Sequence, residues 1–200
     1  MFGKEYFNYP SHPCNENNRF ITPIKWGSLA QSFRDMYITL VGSAPKTAID
    51  CGCGKGYLVR ELNTLGINTI GFDFSKYAVK EAVSKKVFLS TFSKWVKWNA
   101  DLVIASGSLY YLTAKEAKSF IEKVDATVVV IENIPKGDSK EIKKAWLKNI
   151  EGSSYTALFK PIRWYIKQFT KKGYLLGEIV QDADSLNIAY YFVKAEKYKT

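Results

Sequence analysis

The sequence predicts an α/β chain folded around a single doubly wound sheet of seven strands, strands 1–5 parallel and the last two an antiparallel hairpin, with a helical cover at the N-terminus. Three observations predict it. Short apolar runs of strand length alternate with stretches whose apolar residues recur at helical spacing, the pattern of a parallel sheet covered on both faces. One alternation passes from strand to helix through a loop with glycine at positions 52, 54 and 56. The final two strand-like runs, 174–180 and 186–195, follow each other with no helix between them, so they pair as a hairpin.

Residues 1–27 read as irregular, because Pro10, Pro13, Pro23, Asn15, Asn17 and Asn18 interrupt any period. They carry Tyr6, Phe7, Tyr9, Phe20 and Trp26, which suit either a cover over a pocket or packing on the core. Ser28 and Gln31 have the spacing of a capping box, opening a helix with Leu29, Phe33, Met36 and Leu40 on one face. Gly42 ends that helix and Pro45 stops it. Thr47–Asp50 is the first strand, and the helix after the glycine loop carries Leu58, Leu62 and Leu65. Asn68–Asp73 is the second strand, followed by a helix that Ser75 caps and that carries Ala78, Val79, Ala82 and Val83. Val87–Ser90 is a short third strand, and Trp95 and Trp98 sit on a turn or short helix after it. Asp101–Ser106 is the fourth strand. Thr113 and Glu116 form a second capping box, opening a helix with Ala117, Phe120, Ile121 and Val124 on one face. Ala126–Ile134 is the fifth strand, continuously apolar through Ile131 as a central parallel strand should be, apart from Thr127. A helix over 138–148 and a polar linker at 151–154 follow. Pro161 then stands at the first position of a helix with Ile162, Tyr165, Ile166 and Phe169 inward and Gly173 at its end.

The 200 residues are 46% apolar and 15% aromatic, enough for a real core. No apolar run approaches the roughly 20 residues of a membrane span, and the first residues lack a basic stretch followed by an apolar one. Three cysteines argue against a disulfide scaffold, and Cys51 and Cys53 are too close for a C-x-x-C metal or redox pair. These features favour the cytoplasm and no membrane association. The net charge is +10, and residues 135–200 hold most of the excess, with 13 basic against 7 acidic residues. A basic face attracts nucleic acid or another anionic surface. Interleaved charges such as Lys140-Glu141-Ile142-Lys143-Lys144 equally describe a solvated helix face.

The chemistry concentrates at Asp50-Cys51-Gly52-Cys53-Gly54-Lys55-Gly56. Glycine admits positive φ and close approach of a ligand to the main chain, and the helix start beyond offers unpaired N–H groups. A dinucleotide fingerprint needs G-x-G-x-x-G, and here the third glycine is displaced; a P-loop needs G-x-x-x-x-G-K-[ST], which is absent. Asp73, ending the second strand, can accept two hydrogen bonds from a ribose diol. A nucleoside carrying a side chain therefore fits better than a pyrophosphate.

This set resembles motif I and the following acid of the class I S-adenosylmethionine-dependent methyltransferases, over about residues 45–196. The resemblance implies a Rossmann-like methyltransferase fold, S-adenosyl-L-methionine as cofactor, S-adenosyl-L-homocysteine as product, and no metal. It implies one domain: a cover and helix over 1–46, a cofactor-binding half over 47–134 and an acceptor-side half over 135–200. Gly52 and Gly54 would lie against the methionine moiety through their backbone, with Asp50 orienting it through water and Cys53 and Gly56 also in the cofactor site. Asp73 would hold the ribose hydroxyls and Phe74 flank the adenine. Ser90 or Thr91 would lie near the adenine amine, where many relatives have an acid. Ser106, Gly107 and Ser108 would face the sulfonium and the acceptor.

Motif I identifies no base, because a sulfonium methyl is already electrophilic and the protein needs mainly to align the acceptor and take its proton. His12, Tyr110, Tyr111 and Glu132 are the candidates; Trp164 and Tyr165 are either core or acceptor-pocket wall. Ser106-Gly107-Ser108-Leu109 lacks the proline signature of amino-methyltransferases acting on DNA bases, and Cys14 after Pro13 precedes the cofactor loop, which disfavours cytosine C5 chemistry. The favoured acceptor is an oxygen or nitrogen of a small molecule. A nucleic-acid (RNA) or protein methyltransferase, or a non-catalytic cofactor-binding protein, stands as the alternative. Nothing in the sequence specifies an oligomeric state.

Overall fold

A computed structural model of the chain describes residues 3–7, 23–96, 98–132, 160–181 and 188–198. Seven strands form one sheet in the order β3-β2-β1-β4-β5-β7-β6. They are β1 (Thr47–Cys51), β2 (Asn68–Asp73), β3 (Val87–Leu89), β4 (Asn99–Ser106), β5 (Asp125–Glu132), β6 (Tyr174–Gln181) and β7 (Ile188–Lys194). The first five are parallel, and β7 runs antiparallel to both β5 and β6. The order reverses between β1 and β4, which opens a crevice at the carboxyl ends of those strands.

The helices are α1 (Lys4–Phe7), α2 (Pro23–Val41), α3 (Tyr57–Thr64), α4 (Lys76–Lys80), α5 (Ala114–Lys123) and α6 (Ile162–Lys171). Phe33, Tyr37 and Leu40 of α2 and Leu58 and Leu62 of α3 pack on one face of the sheet. Phe120 and Ile121 of α5, Tyr165 and Phe169 of α6, and Phe92, Trp95 and Trp98 pack on the other. The central strands are therefore buried on both sides, with Leu102, Val103, Ile104, Val128, Val129 and Val130 wholly inaccessible. This explains their unbroken apolar runs. Asp101 ties β4 to the start of β1, accepting from the Lys46 and Thr47 backbone N–H groups at 2.7 and 2.9 Å.

Several sequence expectations need correction. Residues 1–27 are not irregular throughout, since they include α1 and the start of α2. Pro23 begins α2 instead of breaking it; a first-turn proline forfeits no intrahelical hydrogen bond. Ser28 is thus inside the helix, its carbonyl accepting from Ser32 Oγ at 3.0 Å, and Gln31 donates to Asp35 at 2.7 Å, so the expected capping box is not formed. The box at Thr113 and Glu116 is formed in both directions. Ser75 caps α4 by accepting from the Ala78 N–H at 3.1 Å. That helix ends at Lys80, ahead of Ala82 and Val83, where the Val83 N–H is taken by the Lys55 carbonyl. Strand β4 starts at Asn99, two residues early, because Asn99 and Ala100 pair with Asp125 and Ala126 of β5. Strand β5 likewise starts at Asp125. Pro161 is the N-cap of α6, one place before its first turn. The helix expected over 138–148 lies outside the described residues.

Candidate active site

The loop leaving β1 turns with φ of +75° at Gly52, +55° at Gly54 and +75° at Gly56. Two of these glycines have a packing reason as well. A Cβ on Gly52 would lie 2.6 Å from Ser108 Cβ, and one on Gly56 would lie 2.4 Å from Val87 Cγ2. The loop is bound to β2 as it turns: the Gly52 and Cys53 N–H groups both donate to the Phe72 carbonyl, at 2.8 and 3.1 Å. Cys53 points its thiol inward, where a Cβ on Gly71 would meet it at 2.8 Å, so only its main chain serves the loop. Cys51 is wholly buried in the core.

Asp73 closes this arrangement. Its Oδ2 accepts from the Gly54 N–H at 2.9 Å and its Oδ1 from the Ser75 N–H at 2.8 Å. A carboxylate offers about four lone-pair sites, more than these N–H groups use. Burial raises its pKa, while the Ser75, Gly54 and Phe74 N–H groups oppose that rise. The carboxylate therefore has a structural duty, holding the loop to β2, and spare acceptor capacity. Asp50 differs. It is buried, at 4% exposure, and no described group donates to it. Burial, with the Asp73 and Glu132 carboxylates, pushes it up to about 7. A buried carboxyl without a donor, flanked by two others, is poised for a cationic ligand.

The carboxyl ends of β4 and β5 complete the floor. Ser106 lies opposite Glu132 in register, and its Oγ donates to the Glu132 carboxylate. Gly107 has φ of +60° and its N–H donates to the Glu132 carbonyl at 3.3 Å. Ser90 follows β3, its N–H on the Asp73 carbonyl at 2.9 Å, and Thr91 begins a turn whose Trp95 N–H returns to the Thr91 carbonyl at 2.9 Å. Phe74 is half-buried in an aromatic cluster with Phe7, Tyr57 and Tyr77.

That cluster reaches the N-terminus, whose aromatic residues the sequence left as either a pocket cover or core packing. Tyr6 and Tyr111 hydroxyls are hydrogen-bonded at 2.7 Å across 105 positions. Phe7 is buried against Tyr77, with ring centroids 6.0 Å apart, and Trp26 stacks on Tyr57 at 5.9 Å. Helix α1 thus links the turn after β4 to α4, the helix after β2. The aromatic pair at 6 and 7 was visible in the sequence, but nothing local indicates its partners. Of the other candidates, Tyr165 is core, while His12, Cys14 and the Tyr110 side chain lie outside what is described.

Sheet order, glycine loop and acid after β2 together define the class I methyltransferase fold. The donor-free Asp50 and the glycine loop that follows it fit a cofactor with a cationic amino-acid end and an adenosine. The family model of the methyltransferase domain matches residues 49–128. Among solved structures, magnesium protoporphyrin IX methyltransferase from Synechocystis PCC 6803 with bound SAH is 17% identical. That match covers 84% of this chain and 82% of that one, with a TM-score of 0.60. The plantazolicin methyltransferase BpumL in complex with SAH is 12% identical over 94% of this chain and 93% of that one, at TM-score 0.63. Streptomyces venezuelae DesVI is 14% identical, covering 85% and 92%, at 0.62. No curated protein matches the sequence. The chain has the fold of the class I S-adenosylmethionine-dependent methyltransferases, and over residues 49–128 it matches the model of their methyltransferase domain.

Proposed function

We propose that the chain transfers the methyl group to an oxygen or nitrogen of a small molecule. The observation that carries this reading is the aromatic roof: Tyr6 is joined to Tyr111 by the 2.7 Å hydroxyl pair, and Phe7 is buried with Tyr57, the first residue of α3, and Tyr77. A roofed crevice excludes water and admits a compact acceptor more readily than a polymer. The cofactor supplies the electrophilic methyl. Gly52, Gly54 and Gly56 present their main chain to its amino-acid end, Asp50 attracts the ammonium, Asp73 accepts from the ribose hydroxyls through its spare lone pairs, and Phe74 flanks the adenine. Ser106 orients Glu132, which with Tyr111 is the candidate to take a proton from the acceptor. Residues 1–46 act as the cover of a single working unit. The relatives named above include methyltransferases of a porphyrin and of plantazolicin, which supports a small acceptor. The free, buried thiol of Cys51 supports a reducing compartment, the cytoplasm.

Transfer from isotopically labelled S-adenosylmethionine to a metabolite library, to total RNA and to a protein extract tests the reading. Label in small aromatic or carboxylate-bearing products is the expected result. Label confined to RNA or protein would overturn the small-molecule assignment, and wild-type protein that binds the cofactor yet labels nothing would favour a binding role.

A further inference from the structure

Lys55 stands between Gly54 and Gly56, where the loop turns into α3. It is buried, at 6% exposure. An ammonium has three donors, yet among the described residues this one makes no hydrogen bond and no ion pair. Its recorded neighbour is the face of Tyr77, 5.8 Å from the ring centroid. A ring face engages one side of the cation and leaves its other donors unmatched. Of the acids near it in sequence, Glu61 pairs with Arg60 at 2.6 Å and Asp73 accepts from the Gly54 and Ser75 N–H groups, while Asp50 forms no ion pair with it among the described residues. Burying a charge without a counter-charge is costly, and proteins normally pair it or give it a ligand.

A second positive element adjoins it. Helix α3 begins at Gly56, which is left-handed and provides no side-chain cap. The first turn of α3 carries no acidic residue either. The positive end of the helix dipole therefore lacks the anion that usually complements it. Both features lie beneath the roof, since Tyr77, which carries the ammonium on its face, is itself packed against Phe7.

We propose that Lys55, together with the N-terminus of α3, binds a ligand carboxylate. The inference rests on the reading of this loop as the cofactor cradle. Two carboxylates could occupy the position: that of the cofactor's amino-acid end, or one carried by the methyl acceptor. Lys55→Met keeps an unbranched stem on Tyr77 and deletes only the charge.

Calorimetry on the full chain compares S-adenosylhomocysteine with 5′-methylthioadenosine, which has the adenosine and thioether but no amino-acid end. If the cofactor supplies the carboxylate, Lys55→Met weakens S-adenosylhomocysteine about tenfold or more and leaves 5′-methylthioadenosine unchanged. If the acceptor supplies it, both nucleosides bind the variant as before, but benzoate binding to the S-adenosylhomocysteine-loaded protein falls about tenfold or more. Lys55→Arg keeps the charge and should retain the affinity that Lys55→Met loses. The ligand-free variant should melt at or above the wild-type temperature, because an unpaired buried charge has been removed. A Lys55→Met protein with unchanged affinity for all three probes overturns the carboxylate site while wild-type S-adenosylhomocysteine binding keeps the cradle reading intact. Wild type that fails to bind S-adenosylhomocysteine overturns both.

Discussion

Asp50 and Asp73 sit at adjacent strand ends and are separated in role by their hydrogen bonds. Asp73 is held by backbone N–H groups, so its removal should act twice. Asp73→Ala frees the Gly54 and Ser75 N–H groups and should cost about 2–4 kcal/mol of stability, together with a loss of affinity for S-adenosylmethionine and S-adenosylhomocysteine. Denaturant unfolding and calorimetry measure the two effects, and unchanged affinity would refute its ribose role. Asp50 has no donor and its carboxyl is raised to about 7. The native state thus holds this proton more tightly than the unfolded chain does. Stability from Asp50 is present below the ordinary carboxylate range and is lost as pH rises toward about 7. A cationic ligand favours the ionised form, so cofactor affinity should strengthen between about pH 6 and pH 8. In Asp50→Asn that slope should flatten, and the ligand-free protein should melt higher than wild type at pH 8. A slope that persists in the variant would assign the titration to another group.

Among the elements, the loop between β1 and α3 is the least tolerant. Gly52→Ala combines φ of +75° with a Cβ 2.6 Å from that of Ser108. Strain in the left-handed region alone costs about 1–2 kcal/mol, and the clash adds to it, so a cofactor-binding defect and a lowered melting temperature should appear together. Helix α5 has no such double duty. Thr113→Ala removes its cap, with an expected cost of about 1 kcal/mol and no change in cofactor affinity. Helix α1 is too short to hold itself in place, and its position comes from Phe7 in the aromatic cluster and Tyr6 on Tyr111. Phe7→Ala should therefore loosen the roof, speeding release of S-adenosylhomocysteine in stopped-flow measurements with little change in global stability. An unaltered release rate would show that α1 does not gate the site.

Across the whole molecule, the two faces of the sheet are closed by different means. On one, α2 and α3 lay aliphatic and aromatic stripes on β1, β4 and β5. On the other, an aromatic block bridges the sheet to the segment between β3 and β4. Phe72 stacks on Trp95 at 4.7 Å and meets Phe92 and Trp98 edge-on at 5.2 and 5.9 Å. Phe72→Ala should cost about 3–5 kcal/mol, read from chemical denaturation. The variant keeps the Phe72 carbonyl that receives the Gly52 and Cys53 N–H groups, so cofactor affinity should change far less than stability.

The seven strands and their parallel or antiparallel sense were legible in the residue order, because apolar periodicity and glycine placement are local and strong. Asn68–Asp73, the Thr113 capping box and the terminal hairpin appear where the pattern puts them. The motif I loop and Asp73 were legible for the same reason, since a strand ending in an acid and a glycine-rich turn are contiguous signals. Boundaries such as Asn99 and Pro23 were not, because pairing with a neighbouring strand, or the rest of a long helix, decides them. The contacts that shape the site could not be read either. Tyr6 on Tyr111, Ser106 on Glu132 and the unpaired Lys55 under Tyr77 join residues that no local pattern connects. The order of residues settled the fold and the glycine loop through short-range chemistry. Only the tertiary packing decided which aromatic side chains gather beside α3, and which charges of the loop go without an ion pair among the described residues.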